Sequence, residues 1–392
     1  MLKHIQKTIV LLVLCLFPLV ITGCWNNVDL DDRGFVVAVG LDKATNGQFD
    51  YSVQIIKPSA IESRKQGGSS VATETISSQG QTVFEAIRNL LSKTDKKLFY
   101  GHIQVIVIGE ELARQGILNV MDMFVRNIET DKRAHIIIAR GTTARNILAA
   151  EGEVQDIPAV EITNTLENVK SLPKIKETKL HEVIKNINSN GNNPVLGVVT
   201  TPETTEKLTV AELDFTGAAV FNKDKLVGWL NPEETTGFLF IENKIKSGII
   251  NVNNPFDTRA KVAIEIIRSS TKKDVRFING EPVIYIEVKQ EGNMVDQQGE
   301  GDLTAPDKIK ILENETAQVI KNEIYHVISL AQGEFQSDIF GLGDIVHKKN
   351  LKYWREVENN WNGEFSDLSV EVKVDSRIRR SGLIKKQAGE AR

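Results

Sequence analysis

Ile103-Gln104-Val105-Ile106-Val107-Ile108 is the stretch on which the fold turns. Its apolar side chains fall on both faces of an extended backbone, so a central strand covered from both sides is expected. Outward from it, Glu110 to about Arg126 reads as a helix and Ala134–Ala139 as the next strand, an α/β unit. Upstream, Phe35–Leu41 and Phe49–Ile56 read as strands joined by a turn from Asp42 to Gln48. Thr82-Val83-Phe84-Glu85 has capping-box spacing, and Val83, Ala86, Ile87, Leu90 and Leu91 follow at helical intervals. Between them Ser63–Gly80, rich in Ser, Gly, Gln and Thr, is expected to be a mobile loop.

Downstream of about Ala144 the pattern changes. Helical spacing recurs around 159–169 and 180–187, followed by the turn-rich Asn188-Ser189-Asn190-Gly191-Asn192-Asn193-Pro194. Gly217–Phe221 and Leu226–Leu230 flank Asn222-Lys223-Asp224-Lys225 as a hairpin, and Glu233–Phe240 fits a helix or an apolar strand equally well. Lys261–Arg268, Val275–Phe277 and Pro282–Lys289 are strand-like. A long helix starts at Thr304-Ala305-Pro306-Asp307, with an apolar stripe of Ile309, Leu312, Thr316, Val319, Ile320, Ile324, Val327 and Ala331. Two shorter helices, near 339–346 and 353–361, precede a final strand at Leu368–Val374. The expected class is α+β, with domains at 35–143, 144–245 and 246–392 and no internal repeat.

The N-terminus has the parts of a bacterial secretory leader. Lys3 and Lys7 precede an apolar run from Ile9 to Ile21, which ends in Ile21-Thr22-Gly23-Cys24. The run is shorter than the roughly 20 apolar residues that span a bilayer, and no basic stop-transfer cluster follows it. The reading is a signal peptide at 1–23 and a diacylglyceryl thioether on Cys24, with 24–34 as a polar tether. Of the chain's two cysteines, Cys15 leaves with the leader and Cys24 carries lipid, so none remains for a disulfide or a thiolate metal site. Exported but disulfide-free suits a Gram-positive cell surface. Losing Lys3 and Lys7 moves the formal charge from −4 to −6. That balance argues against nucleic acid, which needs a basic footprint, and against anchoring by charge alone.

Catalytic patterns fail on inspection. His181-Glu182-Val183-Ile184 begins like a zinc-protease helix, but Lys185 stands where the second imidazole is required. Ser171-Leu172-Pro173-Lys174 and Ser269-Ser270-Thr271-Lys272 match Ser-x-x-Lys without a helix to bring Lys beside Ser. Gly341-Leu342-Gly343 lacks the third glycine of a dinucleotide loop. No metal, cofactor or catalytic constellation is expected. Tyr353, Trp354 and Trp361 crowd one segment of a chain that is 6% aromatic. They fit a partner surface or a core, and the i, i+4, i+8 spacing of Tyr353, Val357 and Trp361 favours core. The tail from Arg377 to Lys386 is basic and suits a solvated end, an acidic partner or a membrane.

Gly23-Cys24-Trp25-Asn26, Asp29-Leu30 and Val39-Gly40-Leu41-Asp42 resemble the start of Ger(x)C-type proteins, the C-subunit lipoproteins of nutrient germinant receptors in endospore-forming bacteria. Asp338-Ile339-Phe340-Gly341-Leu342-Gly343-Asp344, His347, Tyr353-Trp354, Trp361 and Arg379-Arg380-Ser381-Gly382-Leu383 resemble that family's C-terminal block. Position 26, often Asp in the family, is Asn here, and 144–260 match only loosely. The resemblance implies a non-enzymatic protein of three α+β domains in an elongated monomer. It also implies a lipid anchor on the outer face of the spore's inner membrane, beside two integral membrane subunits. The assembly would respond to amino acids, sugars or nucleosides, without saying which subunit touches the germinant. The alternatives weighed are a solute-binding lipoprotein of an importer, which requires two similar hinged lobes, and a surface enzyme such as a cell-wall hydrolase.

Overall fold

The computed structural model describes residues 5–8, 33–56, 73–126, 130–150, 157–168, 172–201 and 213–380. Cys24, residues 63–72, Ser171 and the tail beyond Arg380 lie outside the described residues. Mixed sheets and helices make up the fold, in agreement with the expected α+β class.

The run that decides the fold is a strand, β5 (Val105–Gly109), with every residue buried. It pairs in parallel with β1 (Arg33–Lys43) on one side and β6 (His135–Ala139) on the other. Around this centre stand β2 (Phe49–Ile56), β3 (Thr73–Gly80), β4 (Lys97–Phe99), β7 (Val195–Thr200), β8 (Asp214–Asn222) and β9 (Lys225–Leu230). Together they form one nine-stranded sheet ordered β3-β2-β1-β5-β6-β7-β8-β9, with β4 paired to the start of β1. Ile106 and Ile108 point into one apolar core while Val105 and Val107 point into another, which explains the two-faced run in the sequence. The first core is covered by α1 (Val83–Leu90), α2 (Glu110–Gln115), α3 (Leu118–Arg126) and α6 (Leu180–Ile187). The second is covered by α4 (Ala144–Ala149) and α5 (Pro158–Asn168).

Four expectations change here. Thr73–Gly80 is an edge strand antiparallel to β2, so the loop expected over 63–80 ends by Thr73; its polar residues suit an edge with one open side. Arg33 and Gly34, expected in the tether, already pair with Lys97 and Leu98. The helix expected over 110–126 breaks into α2 and α3 at Gly116, whose φ of 126° a side chain would strain. The boundary expected at 143/144 falls between β6 and α4. Strands on both sides of it share the one sheet, because β7 returns to pair in parallel with β6.

The remaining chain builds a second sheet, ordered β10 (Ile249–Asn254), β11 (Asp257–Ile278), β12 (Glu281–Gln297) and β13 (Ser369–Arg380). β11 and β12 form a long hairpin turning at Asn279-Gly280, both with positive φ. The shorter strands expected within it are one ladder, through the polar Ser269–Asp274. Glu233–Phe240 resolves as helix, α7 (Pro232–Ile241), because Asn231 and Glu234 cap each other reciprocally. The long helix is α8 (Pro306–Gly333), with Leu312, Thr316, Ile320, Ile324, Val327 and Ala331 of the expected stripe buried. It is followed by α9 (Leu342–Lys349), α10 (Leu351–Val357), a 3-10 turn at Glu358–Asn360 and α11 (Trp361–Ser366). Val195, Ala218, Val220 and Leu230 of the first sheet join the core of this second region, so the two regions share apolar packing. They are unlike in topology, so among the described residues there are no two similar lobes of the kind an importer's binding protein requires. Among the described residues no helix is long and apolar enough to cross a membrane.

Candidate functional site

The C-terminal motif read from the sequence forms a joint between the two sheets. Asp338 is fully buried, and its carboxylate gathers four N–H donors. Oδ1 accepts from the backbone of Phe340 at 3.0 Å and Leu342 at 3.2 Å. Oδ2 accepts from the backbone of Gly343 and from Trp361 Nε1, each at 2.8 Å. Leu342 and Gly343 open α9, so their N–H groups have no partner within the helix, and Asp338 caps them from upstream. Burial pushes the Asp338 carboxyl up to about 6, against the pull of those donors.

The other half of the joint comes from the turn-rich loops of the first sheet. Asn193 N–H donates to the Asp338 carbonyl at 2.7 Å, and its Nδ2 donates to Asn362 Oδ1 at 3.2 Å. Asn362 Nδ2 continues the chain to Asn222 Oδ1 at 3.0 Å, while Ser337 Oγ donates to the Phe221 carbonyl at 2.7 Å. Ser189 Oγ reaches Asp344 Oδ1 at 2.9 Å. Gly191 lies so close to Gly343 that a Cβ on Gly191 would come within 2.6 Å of the Gly343 backbone.

Trp354 and Trp361 are 3% and 2% exposed, with ring centroids 5.2 Å apart, and His347 stacks on Trp354 at 5.3 Å. Buried indoles offer no face to a partner, so these two are removed from the possible partner surface and belong to the core. Tyr353 is half-buried, its ring edge against Phe277 at 5.3 Å. His181 lies on an exposed part of α6, its Nδ1 3.1 Å from the Lys132 carbonyl, and Ser269–Lys272 runs inside β11. Among the described residues no group of three His, Cys, Asp or Glu side chains could hold a metal ion.

A second feature was not read from the sequence. Between α1 and α3, over the first sheet, opens a cleft of about 1140 Å³. Tyr51 and Phe124 are buried at its base, and Phe84, Leu91 and Arg88 rise on one wall opposite Met123 and Arg126. Burial raises the Tyr51 hydroxyl well above the ordinary tyrosine range, with Tyr100 beside it, so it remains a neutral phenol. The cleft is wide for a single small polar nutrient, since even drug-sized ligands fill pockets of about 300–1,000 Å³. The signal in the sequence was the exposed Phe84, which a one-faced helix has no reason to carry.

One buried acid gives a stability prediction. Glu323 on α8 has an Oε2 with no hydrogen-bond partner, and burial together with the nearby Glu233 pushes its carboxyl up to about 7. A raised carboxyl stabilises the fold fully below about pH 4.3, its unfolded value, and that contribution is lost as pH rises toward 7. Glu323→Gln is therefore expected to flatten the pH dependence of the melting temperature between about 4 and 7. At pH 8 it should stabilise by about 1–3 kcal/mol, discounted for partial exposure. Urea melts at pH 5 and pH 8 check both.

Known proteins share this architecture along nearly its whole length. Residues 26–201 match the family described as the spore germination protein N-terminal domain, and residues 216–382 match spore germination B3/GerAC like, C-terminal. Spore germination protein KC of Bacillus subtilis (strain 168) is 26% identical, with 97% of each chain covered. Spore germination protein B3 of the same organism is 24% identical over 94% of this chain and 96% of that protein. The crystal structure of the GerBC protein superposes with a TM-score of 0.55 at 20% identity, covering 90% of this chain and all of that one. With both halves matched in order and the fold shared, the chain belongs to the GerAC-like family of spore germination proteins.

Proposed function

We propose that this chain is the lipid-anchored, non-enzymatic subunit of a nutrient germinant receptor. In this reading Cys24 is acylated, and the body sits on the outer face of the spore inner membrane beside two integral membrane subunits. The observation that carries it is the meeting of a leader ending in Ile21-Thr22-Gly23-Cys24 with full-length similarity to spore germination proteins. Physically, a lipid on Cys24 confines the body to the plane of its partners. Tethering raises the effective concentration of partners to the order of mM, so modest contacts suffice for assembly. The nutrient is unassigned, and the joint around Asp338 serves geometry rather than recognition.

The test is germination of spores carrying Cys24→Ala, across a panel of nutrients and with a trigger that bypasses receptors. The expected result is loss of response to particular nutrients, with the bypass intact and the soluble body folded. Wild-type germination by a variant shown by mass spectrometry to lack lipid would refute the anchor's role.

A further inference from the structure

We infer that the mouth of the cleft between α1 and α3 is the face this chain lays on an anionic lipid surface. The inference rests on the reading of Cys24 as the anchor. Arg33, the first residue of β1, comes nine residues after Cys24. Nine residues reach at most about 30 Å, so the start of β1 stays within that distance of the acyl chains. At that end Arg33 pairs with Lys97, and Lys97 lines the cleft. The anchor thus holds this corner close to the bilayer.

The chemistry of the corner fits what it would meet. Arg88, Lys97 and Arg126 line the cleft, and Arg33 stands beside Lys97. One acid lines the cleft with them, Asp122, which pairs with Arg126 at 2.7 Å, so Arg88 and Lys97 are left as the excess of the lining. Asp95 lies 3.9 Å from Lys96. A mature chain of net charge −6 thus presents two uncompensated cations at this cleft, and the opposite signs orient it: the cleft mouth is drawn to anionic headgroups while the remainder is repelled. Phe84 on α1 and Leu91, its C-cap, are 60% and 52% exposed and lie on one side with Arg88, whose guanidinium lies 5.2 Å over the Phe84 ring. Apolar side chains interleaved with cations are the composition of an interfacial helix, the aromatic ring entering the acyl boundary as the cations meet phosphate. Whole-chain charge concealed this, because it averages over faces.

The experiment uses residues 24–392 with Cys24→Ser, which carry no acyl group. Sedimentation with phosphatidylglycerol/phosphatidylcholine vesicles is compared with pure phosphatidylcholine vesicles at about 0.1 M salt. Binding to the anionic vesicles alone is expected, falling as salt rises. The double substitution Arg88→Gln/Lys97→Gln should weaken it roughly 10–30-fold, at about tenfold or less per cation. Phe84→Ser should weaken it about tenfold, and Lys348→Gln/Lys352→Gln, on the exposed surface of α9 and α10, should leave it unchanged. Melting temperatures confirm that these exposed positions leave the fold intact. Equal binding to neutral vesicles, no binding at all, or an equal effect of the control pair would overturn the inference. So would protection of Phe84 and Leu91 by a membrane subunit in the absence of lipid. The anchor is tested separately: unacylated Cys24 in spores would overturn it while leaving vesicle binding untouched.

Discussion

Asp338→Ala is expected to destabilise the folded body by about 3–5 kcal/mol and to loosen the joint between the two sheets. The carboxylate serves four N–H donors in a fully buried site. Each donor left buried without a partner costs about 1–3 kcal/mol. Against this stands relief from burying the charge, worth roughly 3 kcal/mol given a carboxyl displaced to about 6 from about 3.9. Four orphaned donors outweigh that relief. Asp338→Asn keeps one acceptor oxygen but turns an amide NH₂ toward two other donors, so about half the loss is expected. The titration adds a signature. Wild-type stability from this group is fully present below about pH 4 and is lost as pH rises through 6, whereas neither variant has this slope. Urea denaturation at pH 4 and pH 7 reads both quantities; an Asp338→Ala midpoint within error of wild type at pH 7 would mean the donors find other partners.

What could be read from the sequence divides along physical lines. β5 and β6 were legible because strands buried on both faces leave uninterrupted apolar runs at Val105–Ile108 and Ile136–Ala139. β3 was not, since an edge strand reading Thr-Glu-Thr-Ile-Ser-Ser-Gln-Gly carries the composition of a loop. The ladder through Ser269–Asp274 was hidden for the same reason: those residues extend β11 between exposed positions. At the aromatic segment, helical spacing grouped Tyr353 with Trp361, yet the 3-10 turn at Glu358–Asn360 resets the helix and brings Trp354 against Trp361 instead. The joint itself was half visible. Asp338–Asp344 stood out as a motif, but its partners Asn193 and Asn222 lie more than a hundred residues away, in stretches that read as ordinary turns. No local pattern announces a contact between two loops. The cleft likewise arises from how far apart α1 and α3 sit on the sheet, which no single segment encodes.

The tightest contact in the joint yields the second large effect. A Cβ on Gly343 would come within 2.5 Å of both Gly191 Cα and Trp361 Nε1, and one on Gly191 would meet the Asp344 nitrogen at 2.5 Å. These neighbours are backbone and a buried indole already hydrogen-bonded to Asp338, so neither can step aside by rotating a flexible side chain. The close approach, not a positive φ, demands glycine, because neither residue adopts a left-handed backbone. Overpacking of this kind costs about 1–3 kcal/mol, and Gly343→Ala should exceed Gly191→Ala because it also strains the Trp361–Asp338 bond. The informative measurement is the double variant. Once one methyl has pried the loops apart, the second meets an opened gap, so the combined loss should fall short of the sum by about 1 kcal/mol or more. Strict additivity would mean that each site relaxes on its own and that the loops do not act as a single joint. In spores, under the proposed receptor function, the same variants separate folding from signalling: with the first sheet held by the proposed lipid anchor and the joint fixing the angle of the second region, Gly191→Ala should blunt nutrient response even where the protein accumulates normally.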